Sequence, residues 1–352
     1  MARIQIGGAG GAPSNNFIRS LHESKRRDYL IGTSSEYTDL FMADTDEKYV
    51  IPPASSPDYQ DTLLRLIRRT RPDFVHVQND LEVIAVSRMR KQLVAEGANL
   101  FLPTEHTIEV CVDKFRSHQI WKNAGVKVPE SALLRNAEDL ELVFRELGPK
   151  IWVRATIGGG GRWALPTDSY EFARLWIDHF QGWGQVMASR CLTSRSITWL
   201  SIWHEGQLIV AQTRRRLRWN FANRTVSGVT GITGVAETCS DENVSSVAIA
   251  AIRAIDDKPH GVFGVDMTYD EDGWPNPTEI NIGRFFTTVY FFTKAGLNLP
   301  EIYCNIALDG AFPTLSRTVN PLPDGLVWIR GMDVEPVLAN RKQLEEMEQA
   351  LP

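Results

Sequence analysis

Acidic and amide side chains cluster on one predicted β-hairpin. Glu279 and Asn281 stand two apart in a strand and therefore project from the same face. An Asp-Glu-Asp-Gly turn joins this strand, predicted over Pro277–Ile282, to a partner strand over Val262–Tyr269, which brings Asp266 near Glu279. Two carboxylates and an amide oxygen suit Mg²⁺, which prefers hard oxygen ligands shared with phosphates. A polar, solvated sheet face is the alternative interpretation.

A glycine run follows a predicted strand that carries an arginine. The strand covers Ile151–Ala155, and Arg154 projects from it. The glycines are Gly158, Gly159, Gly160 and Gly161. Their backbone N–H groups can approach phosphate oxygens without obstruction by side chains, although a flexible turn is the plainer interpretation. About forty residues upstream, Lys114 begins a predicted helix, where it opposes the helix dipole and suggests a phosphate partner.

A second basic cluster lies in a predicted strand. Arg214 and Arg216 share one face, whereas Arg215 points to the other. Two guanidinium groups that face the metal site can clamp a carboxylate or a phosphate. An exposed charged strand, or a patch for an acidic partner, remains open at this point.

Alternating strand and helix signals in the first hundred residues predict a parallel, Rossmann-like α/β domain over residues 1–110. Its first loop carries Ser14, Asn15 and Asn16, which can bind part of a substrate. Asp80 and Glu82 follow a strand end, where ligands commonly lie, although a helix cap also explains Asp80. A mixed α+β domain is predicted over residues 111–310, with a subdomain at about 125–195. Residues 311–352 are predicted to form a C-terminal extension that ends in a charged helix around residues 341–350.

Bulk composition excludes several classes of protein. The chain has 352 residues, 43% of them hydrophobic, and a net charge of −5, which argues against a general nucleic-acid-binding surface. No stretch has the length of a membrane span, and the N-terminus lacks a secretory signal. The four cysteines are scattered, so a disulfide framework is not expected. A cytoplasmic location is therefore expected.

Taken in order, these segments resemble the ATP-grasp superfamily, and most closely the synthetase halves of carbamoyl-phosphate synthetase. Lys114 with the following Gly-Val-Lys-Val-Pro segment is similar to the family's entry segment. The Trp-Val-Arg strand and its glycine loop resemble the lid that covers the phosphates. Gly-Val-Asp around Asp266 and Glu-Ile-Asn from Glu279 to Asn281 resemble the metal-binding hairpin. The resemblance covers roughly residues 3–310.

The resemblance implies a carboxylate–amine ligase that uses Mg-ATP. Lys114, Arg154 and the glycine loop would contact the ATP phosphates, and Asp266, Glu279 and Asn281 would hold one or two magnesium ions. The γ-phosphate would pass to a carboxylate, and an amine, ammonia or a thiol would attack the acyl phosphate. Small molecules are therefore the expected partners, without nucleic acid or membrane, and relatives are commonly homodimers.

Three departures from the family pattern stand in the sequence. The adenine hinge usually carries two glutamates, but Arg190 and Ser196 occupy these places, which leaves backbone groups near Cys191 and Leu192. Gly283 stands where an arginine is usual, and Arg284 follows it as the residue expected to reach the transferred phosphoryl group. The chain is also too short for a complete carbamoyl-phosphate synthetase.

Two other functions compete with this interpretation. The missing hinge acids suggest a non-catalytic nucleotide-binding regulator with the same fold. A dinucleotide-dependent oxidoreductase built on the first glycine loop is less consistent, because residues 7–12 lack the required glycine spacing.

Overall fold

A computed structural model describes residues 1–332, 337–343 and 345 of the chain. The strands within these residues are β1 (Arg3–Ile6), β2 (Tyr29–Ser34), β3 (Glu47–Val50), β4 (Phe74–His76), β5 (Ser131–Leu134), β6 (Ile151–Ala155), β7 (Leu165–Thr167), β8 (Val186–Arg190), β9 (Ser196–His204), β10 (Gln207–Trp219), β11 (Thr233–Thr238), β12 (Gly261–Tyr269), β13 (Pro275–Ile282), β14 (Leu326–Ile329) and β15 (Val337–Asn340). The α-helices are α1 (Ala12–His22), α2 (Tyr59–Thr70), α3 (Asp80–Arg88), α4 (Arg90–Ala95), α5 (Glu105–Val112), α6 (Lys114–Asn123), α7 (Ala137–Leu147), α8 (Tyr170–His179), α9 (Glu242–Ile255), α10 (Val289–Lys294) and α11 (Leu299–Asp309).

The N-terminal strands form a parallel sheet in the order β3-β2-β1-β4. Apolar residues of β1, including Ile4 and Ile6, are fully buried, and α1 returns the chain so that β2 can pair in parallel. The predicted α/β domain is therefore confirmed in its architecture. The edge strand β3 was not predicted, because its Glu-Lys-Tyr-Val sequence is half-buried to exposed and lacks a clear apolar pattern.

Two further sheets are antiparallel. The smaller has the order β5-β8-β6-β7 and packs its apolar side against α7 and α8. The larger has the order β13-β12-β9-β10-β11-β14-β15 across the described residues. On one side it packs against α5, α6 and α9, in a core that includes Trp121 and Trp199. These sheets confirm the predicted change to mixed α+β structure after the N-terminal domain.

The C-terminal segment continues the larger sheet. β14 pairs with β11 and β15 pairs with β14, both antiparallel. Residues 341–343 are helical, but most of the charged helix predicted around 341–350 lies outside the described residues. The boundaries at residues 110 and 310 stay predictions. No helix among the described residues combines the length and hydrophobicity required to cross a membrane.

Candidate functional site

A cavity of about 750 Å³ lies where the three sheets meet. Its walls are the carboxyl edge of the parallel sheet, the glycine loop after β6 and one face of the larger sheet. The predicted site residues that line it are Lys114, Gly158, Gly159, Gly160, Gly161, Arg214, Arg216, Asp266, Glu279, Asn281 and Arg284. Residues widely separated in sequence thus face one space.

Strand register aligns four polar residues in one row across the larger sheet. Glu279 is opposite Asp266, Asp266 is opposite Thr198, and Thr198 is opposite Arg214. Neighbouring strands lie about 4.8 Å apart, so the row extends about 14 Å from Glu279 to Arg214. The row carries carboxylates at one end and a guanidinium at the other.

The carboxylate end of the row has a donor set that suits a hard cation. Asp266 accepts hydrogen bonds from the Thr198 hydroxyl and from Asn281 Nδ2, the latter at 3.1 Å. Glu279 Oε2 lies 3.4 Å from Lys114 Nζ. The described residues contain no cluster of three or more histidine, cysteine, aspartate or glutamate side chains suited to a metal. A Mg²⁺ here would therefore rely on two carboxylates, with phosphate and water oxygens as its other ligands.

Asn281 is oriented differently from the sequence-based expectation. Its amide nitrogen faces Asp266, and its Oδ1 accepts a 2.7 Å hydrogen bond from Arg284 Nη2. Ligation of a metal by this oxygen requires that the hydrogen bond to Arg284 be released. The other two predicted ligands, Asp266 and Glu279, both direct their carboxylates to the cavity.

Cations from the smaller sheet and α6 approach the same carboxylates. Arg154 leaves β6 on its open side, donates to the Thr278 carbonyl at 2.6 Å and lies 3.9 Å from Glu279. Burial lowers the pKa of Arg154, and Glu279 partly offsets this effect. Lys114 Nζ donates to the Gly158 carbonyl at 2.6 Å. Lysine and arginine therefore lie beside both the glycine loop and the candidate metal position, as an anionic phosphate chain requires.

The glycine loop touches a second loop from across the cavity. A Cβ added at Gly161 would lie 2.7 Å from the Val229 carbonyl oxygen, and one added at Gly231 would lie 2.8 Å from the Gly160 Cα. Both glycines also have positive φ, 75° and 71° respectively. Backbone approaches this close require glycine, so the two loops form one cover over the cavity.

Arg214 is the most buried charged group in the site. It is 1% exposed, its Cζ lies 4.4 Å from the centroid of the Phe286 ring, and its Nε and Nη1 have no hydrogen-bond partner in the described part of the chain. Desolvation, reinforced by Arg216, lowers the pKa of Arg214 to about 9. A buried, unpaired guanidinium at a cavity wall is a strong candidate to bind an anion.

Arg216 is held more fully. It donates to Thr233 Oγ1 at 3.0 Å and to Ser196 Oγ at 2.9 Å, and it lies 3.6 Å from Asp266. Its Cζ lies 3.7 Å from the centroid of the Trp219 ring. Arg216 therefore positions the carboxylate row, whereas Arg214 keeps free donors.

The loop after β13 explains the displaced arginine. Gly283 has φ 67°, which favours glycine, and a Cβ there would lie 3.0 Å from the side chains of Leu102 and Val83, so a larger residue would be strained and tightly packed. Arg284 takes the cavity-facing place and binds Asp80, with Nε 2.5 Å from Oδ1. Burial acts to raise the pKa of Asp80, but Arg284 and Lys114 outweigh it and hold the pKa below its usual value.

The first glycine loop contributes less than expected. The Ser14 hydroxyl donates to the Gly7 carbonyl, Asn15 donates to Gly10, and Asn16 donates to Ala12. All three residues lie in α1, not in the glycine loop as predicted, and the hydrogen bonds of Ser14 and Asn15 join the start of this helix to the loop before it. From this region Gly8 lines the cavity, together with Asp80 and Glu82 of α3.

The predicted adenine hinge lies apart from the cavity lining. Arg190 ends β8 and Ser196 begins β9, with Cys191 and Leu192 between them. Within the described residues, none of these four lines the cavity. Ser196 contacts it indirectly, through Arg216.

Thr198, Trp219 and Phe286 support the site but were not predicted. Thr198 supports Asp266, Trp219 supports Arg216, and Phe286 packs on Arg214. An alternation of polar and apolar residues along β9 was the only signal for Thr198, and no local signal exists for the other two.

Comparison with solved structures shows a shared overall fold. The chain is similar to the biotin carboxylase–β,γ-ATP complex from Campylobacter jejuni, with TM-score 0.71, 16% identity, and coverage of 94% of this chain and 75% of that one. It is also similar to N5-carboxyaminoimidazole synthetase from Staphylococcus aureus, with TM-score 0.70, 14% identity, and coverage of 99% and 96%. An L-amino acid ligase from Bacillus licheniformis gives TM-score 0.68, 14% identity, and coverage of 99% and 85%.

Sequence similarity to curated proteins is confined to segments. Chloroplastic biotin carboxylase from Arabidopsis thaliana is 39% identical over 82 residues, which is 22% of this chain and 15% of that protein. The mitochondrial propionyl-CoA carboxylase alpha chain from Mus musculus is 29% identical over 122 residues, which is 33% of this chain and 17% of that protein. The chain thus matches less than a quarter of the length of these relatives. No protein-family model matches it.

Proposed function

This chain has the ATP-grasp fold, and on that premise we propose that it is a Mg-ATP-dependent, ADP-forming carboxylate–amine ligase. The resemblance drawn from the sequence is confirmed at the level of the fold by the similar enzymes. Solved relatives were crystallised with ATP, or with MgADP and bicarbonate, which supports the use of ATP and magnesium here.

The observation that most directly supports this function is the row from Glu279 through Asp266 to Arg214 on one cavity wall. We assign magnesium to Asp266 and Glu279, with Asn281 joining when it releases Arg284. Magnesium bound there would neutralise charge on the phosphates. Arg214 is assigned to the carboxylate substrate, because its buried donors are free.

Phosphates are assigned to Lys114, Arg154 and the glycine loop. Lys114 and Arg154 already lie beside Glu279 and the Gly158 carbonyl. Bound triphosphate would replace these internal contacts with charge-assisted hydrogen bonds. Adenine is assigned to the segment that runs from Arg190 through Cys191 and Leu192 to Ser196, on the resemblance alone.

The proposed reaction has two steps. A carboxylate oxygen attacks the γ-phosphorus, and the bond from γ-phosphorus to the β,γ-bridging oxygen breaks, which leaves ADP and an acyl phosphate. An amine nitrogen then attacks the acyl carbon, the carbon–oxygen bond to phosphate breaks, and the amine loses a proton. Arg284, which binds Asp80, and Arg216, which lies beside Asp266, are assigned to the transferring group, which they would orient and whose charge they would neutralise.

A non-catalytic nucleotide-binding regulator is the second candidate. Arg190 and Ser196 stand where hinge glutamates are usual, and Gly283 stands where an arginine is usual. A regulator would bind ATP without substrate-dependent hydrolysis. The free donors of Arg214 favour the ligase, because a regulator has no need of an additional buried anion site.

The direct test mixes purified protein with ATP, magnesium and a panel of carboxylates, including bicarbonate, and of amines. Substrate-dependent ADP release, with a new product mass, is the expected result. ATP binding without any such release would favour the regulator, and AMP as product would contradict the acyl-phosphate route. Failure to bind ATP would overturn both candidates.

The oligomeric state and the cellular location are also matters of proposal. We propose a homodimer, as in the 2-oxoglutarate carboxylase domain dimer from Hydrogenobacter thermophilus, with sedimentation velocity as the test. We also propose a cytoplasmic location, which agrees with the four free cysteines of the described chain.

A further inference from the structure

Most charged groups that line the cavity have an oppositely charged neighbour. Asp80 pairs with Arg284, Glu279 with Lys114, and Asp266 with Arg216. Two buried groups in the lining differ from these. Arg214 makes no ion pair in the described residues and is assigned above to the carboxylate substrate. The other is Glu82, on the opposite side of the cavity.

Glu82 lies in the first turn of α3, just beyond the carboxyl end of β4, and is 6% exposed. Its Oε1 accepts a hydrogen bond from the Tyr59 hydroxyl at 3.2 Å, and its Oε2 accepts one from Asn79 Nδ2 at 2.6 Å. Both donors are neutral. No lysine, arginine or histidine forms an ion pair with Glu82 within the described part of the chain.

The neighbouring glycine loop allows this carboxyl group to approach closely. A Cβ added at Gly7 would lie 2.6 Å from Glu82 Oε2 and 2.8 Å from Val77 Cγ1. Gly8, the next residue, lines the cavity beside Glu82. The loop therefore holds a carboxyl group at the wall of a ligand cavity, without supplying a charge to balance it.

A buried carboxylate without a counter-charge lowers the stability of the folded protein unless a ligand supplies that charge. Desolvation raises the pKa of Glu82 to about 7, although Tyr59 and Asn79 oppose this shift. A carboxylate that is buried without a cation destabilises the empty protein. A lone carboxylate does not make a metal site, since Mg²⁺ needs several oxygen ligands. A ligand ammonium group, with its compact charge and N–H donors, matches a single carboxylate better.

We propose that Glu82 binds the protonated amine of the nucleophile, on the wall of the cavity formed by the parallel sheet. The inference rests on the proposed ligase function and adds that the nucleophile enters as a cationic amine, not as a thiol. The ammonium group passes one proton to the Glu82 carboxylate before its nitrogen attacks the acyl carbon, and the second proton leaves after the attack. Each of the two residues thus binds the substrate of opposite charge: Glu82 binds the cationic amine, and Arg214 binds the anionic carboxylate. The amine is taken by the N-terminal domain, and the acid is taken by the larger sheet.

Isothermal titration of the full chain with simple amines tests this, in the presence of MgADP. The probes are ammonium chloride, methylammonium chloride, ethanolamine, glycine and β-alanine, with ethylene glycol as the neutral match for ethanolamine. We expect at least one amine to bind and ethylene glycol not to bind. In Glu82→Gln, an isosteric and neutral variant, the affinity for that amine should fall about tenfold or more, the usual scale for losing a charged partner.

Glu109→Gln is the matched control, because Glu109 pairs with Arg88 on the surface, away from the cavity. It should bind the amine as the wild type does. Should Glu82→Gln fail to fold, Glu82→Asp keeps the charge but withdraws it, and it should also bind the amine more weakly than the wild type.

Equal amine affinity in the wild type and in the Glu82 variant that folds would overturn the inference. So would the absence of amine binding in a wild type that binds ATP and forms ADP with a carboxylate. In that second case the ligase proposal stands and only the role of Glu82 fails. A wild type that does not bind ATP instead overturns the ligase proposal.

Discussion

Asp266 on β12 lies directly opposite Glu279 on β13, so that two carboxylates from neighbouring strands face the same cavity. Lys114 and Arg154 approach Glu279, and Arg216 approaches Asp266. Without ligand, these cations offset charges that would otherwise repel each other across the hairpin. With Mg-ATP, the same groups can redistribute between the metal and the phosphates.

Replacement of Glu279 tests the metal assignment. We expect Glu279→Gln to lower substrate-dependent ADP formation by roughly 10²–10³-fold, because a charged metal ligand is lost at the transferring phosphates. Glu271→Gln, in the exposed turn of the same hairpin, is the control and should retain activity. Magnesium titration of the residual rate measures the lost affinity. Wild-type turnover in Glu279→Gln would refute the metal assignment.

Replacement of Arg214 should separate stability from function. Desolvation holds the pKa of Arg214 at about 9, below its ordinary 12.5, so the protonated group destabilises the folded state. Arg214→Met should therefore raise the free energy of unfolding by about 1–4 kcal/mol while abolishing carboxylate-dependent ADP release. The gain should be full below pH 9 and should shrink as the pH rises through the folded pKa.

Urea unfolding at pH 7 and pH 10 measures this difference. Arg218→Met is the matched control, since Arg218 lies exposed on the same strand, and its effect should be small at both pH values. A large loss of stability in Arg214→Met would mean that the guanidinium supports the fold, and the anion-site assignment would then be wrong.

The contact between the two cover loops can be tested with matched glycine variants. Gly161→Ala places a Cβ 2.7 Å from the Val229 carbonyl oxygen, whereas Gly184→Ala meets no atom within 4 Å. Both positions have positive φ, so both variants bear a similar backbone cost of about 1–2 kcal/mol. Only Gly161→Ala should weaken ATP binding, measured by isothermal titration. Equal effects of the two variants would show that the loop contact is irrelevant to nucleotide binding.

Asp80 and Arg284 should be coupled energetically. A double-mutant cycle with Asp80→Asn and Arg284→Gln should give a coupling of about 1.5–3 kcal/mol in the free energy of unfolding. Because Asp80 has a lowered pKa, its contribution is present at neutral pH and is lost as the pH falls through the folded pKa. The exposed pair Arg88–Glu109 provides a control cycle, and its coupling should be clearly smaller, because solvent screens the two charges. If the coupling between Asp80 and Arg284 is no larger than in this control, the partly buried ion pair between them does not form as described.

The pH dependence of stability should carry a signature of Glu82. Desolvation raises the pKa of its carboxyl group to about 7 from 4.5, so the folded protein binds this proton more tightly than the unfolded chain does. Stability attributable to Glu82 is therefore full below pH 4.5 and is lost as the pH rises to 7. Glu82→Gln should remove this slope from a series of urea unfolding curves. An identical slope in both proteins would show that Glu82 titrates normally.

Several features of the fold could be predicted from local patterns alone. β6 has the predicted bounds, because this short apolar strand runs into a glycine loop. The hairpin of β12 and β13 followed from its acidic turn and from alternation on both strands. By contrast, β3 is a half-exposed edge strand, and only one residue, the capping Asp113, separates α5 from α6.

By itself, the sequence determined which residues share a strand face and which loops are glycine-rich, since side-chain periodicity and backbone freedom are local properties. It therefore placed Glu279 with Asn281 and Arg214 with Arg216. Only the tertiary structure decided that β9 lies between the two pairs of strands and aligns Asp266 with Arg214 through Thr198. It also decided that Asn281 turns its oxygen to Arg284, that a side chain at Gly283 would be tightly packed, and that Glu82 has no ion-pair partner among the described residues. Register and burial depend on contacts between segments distant in sequence, and local patterns do not encode those contacts.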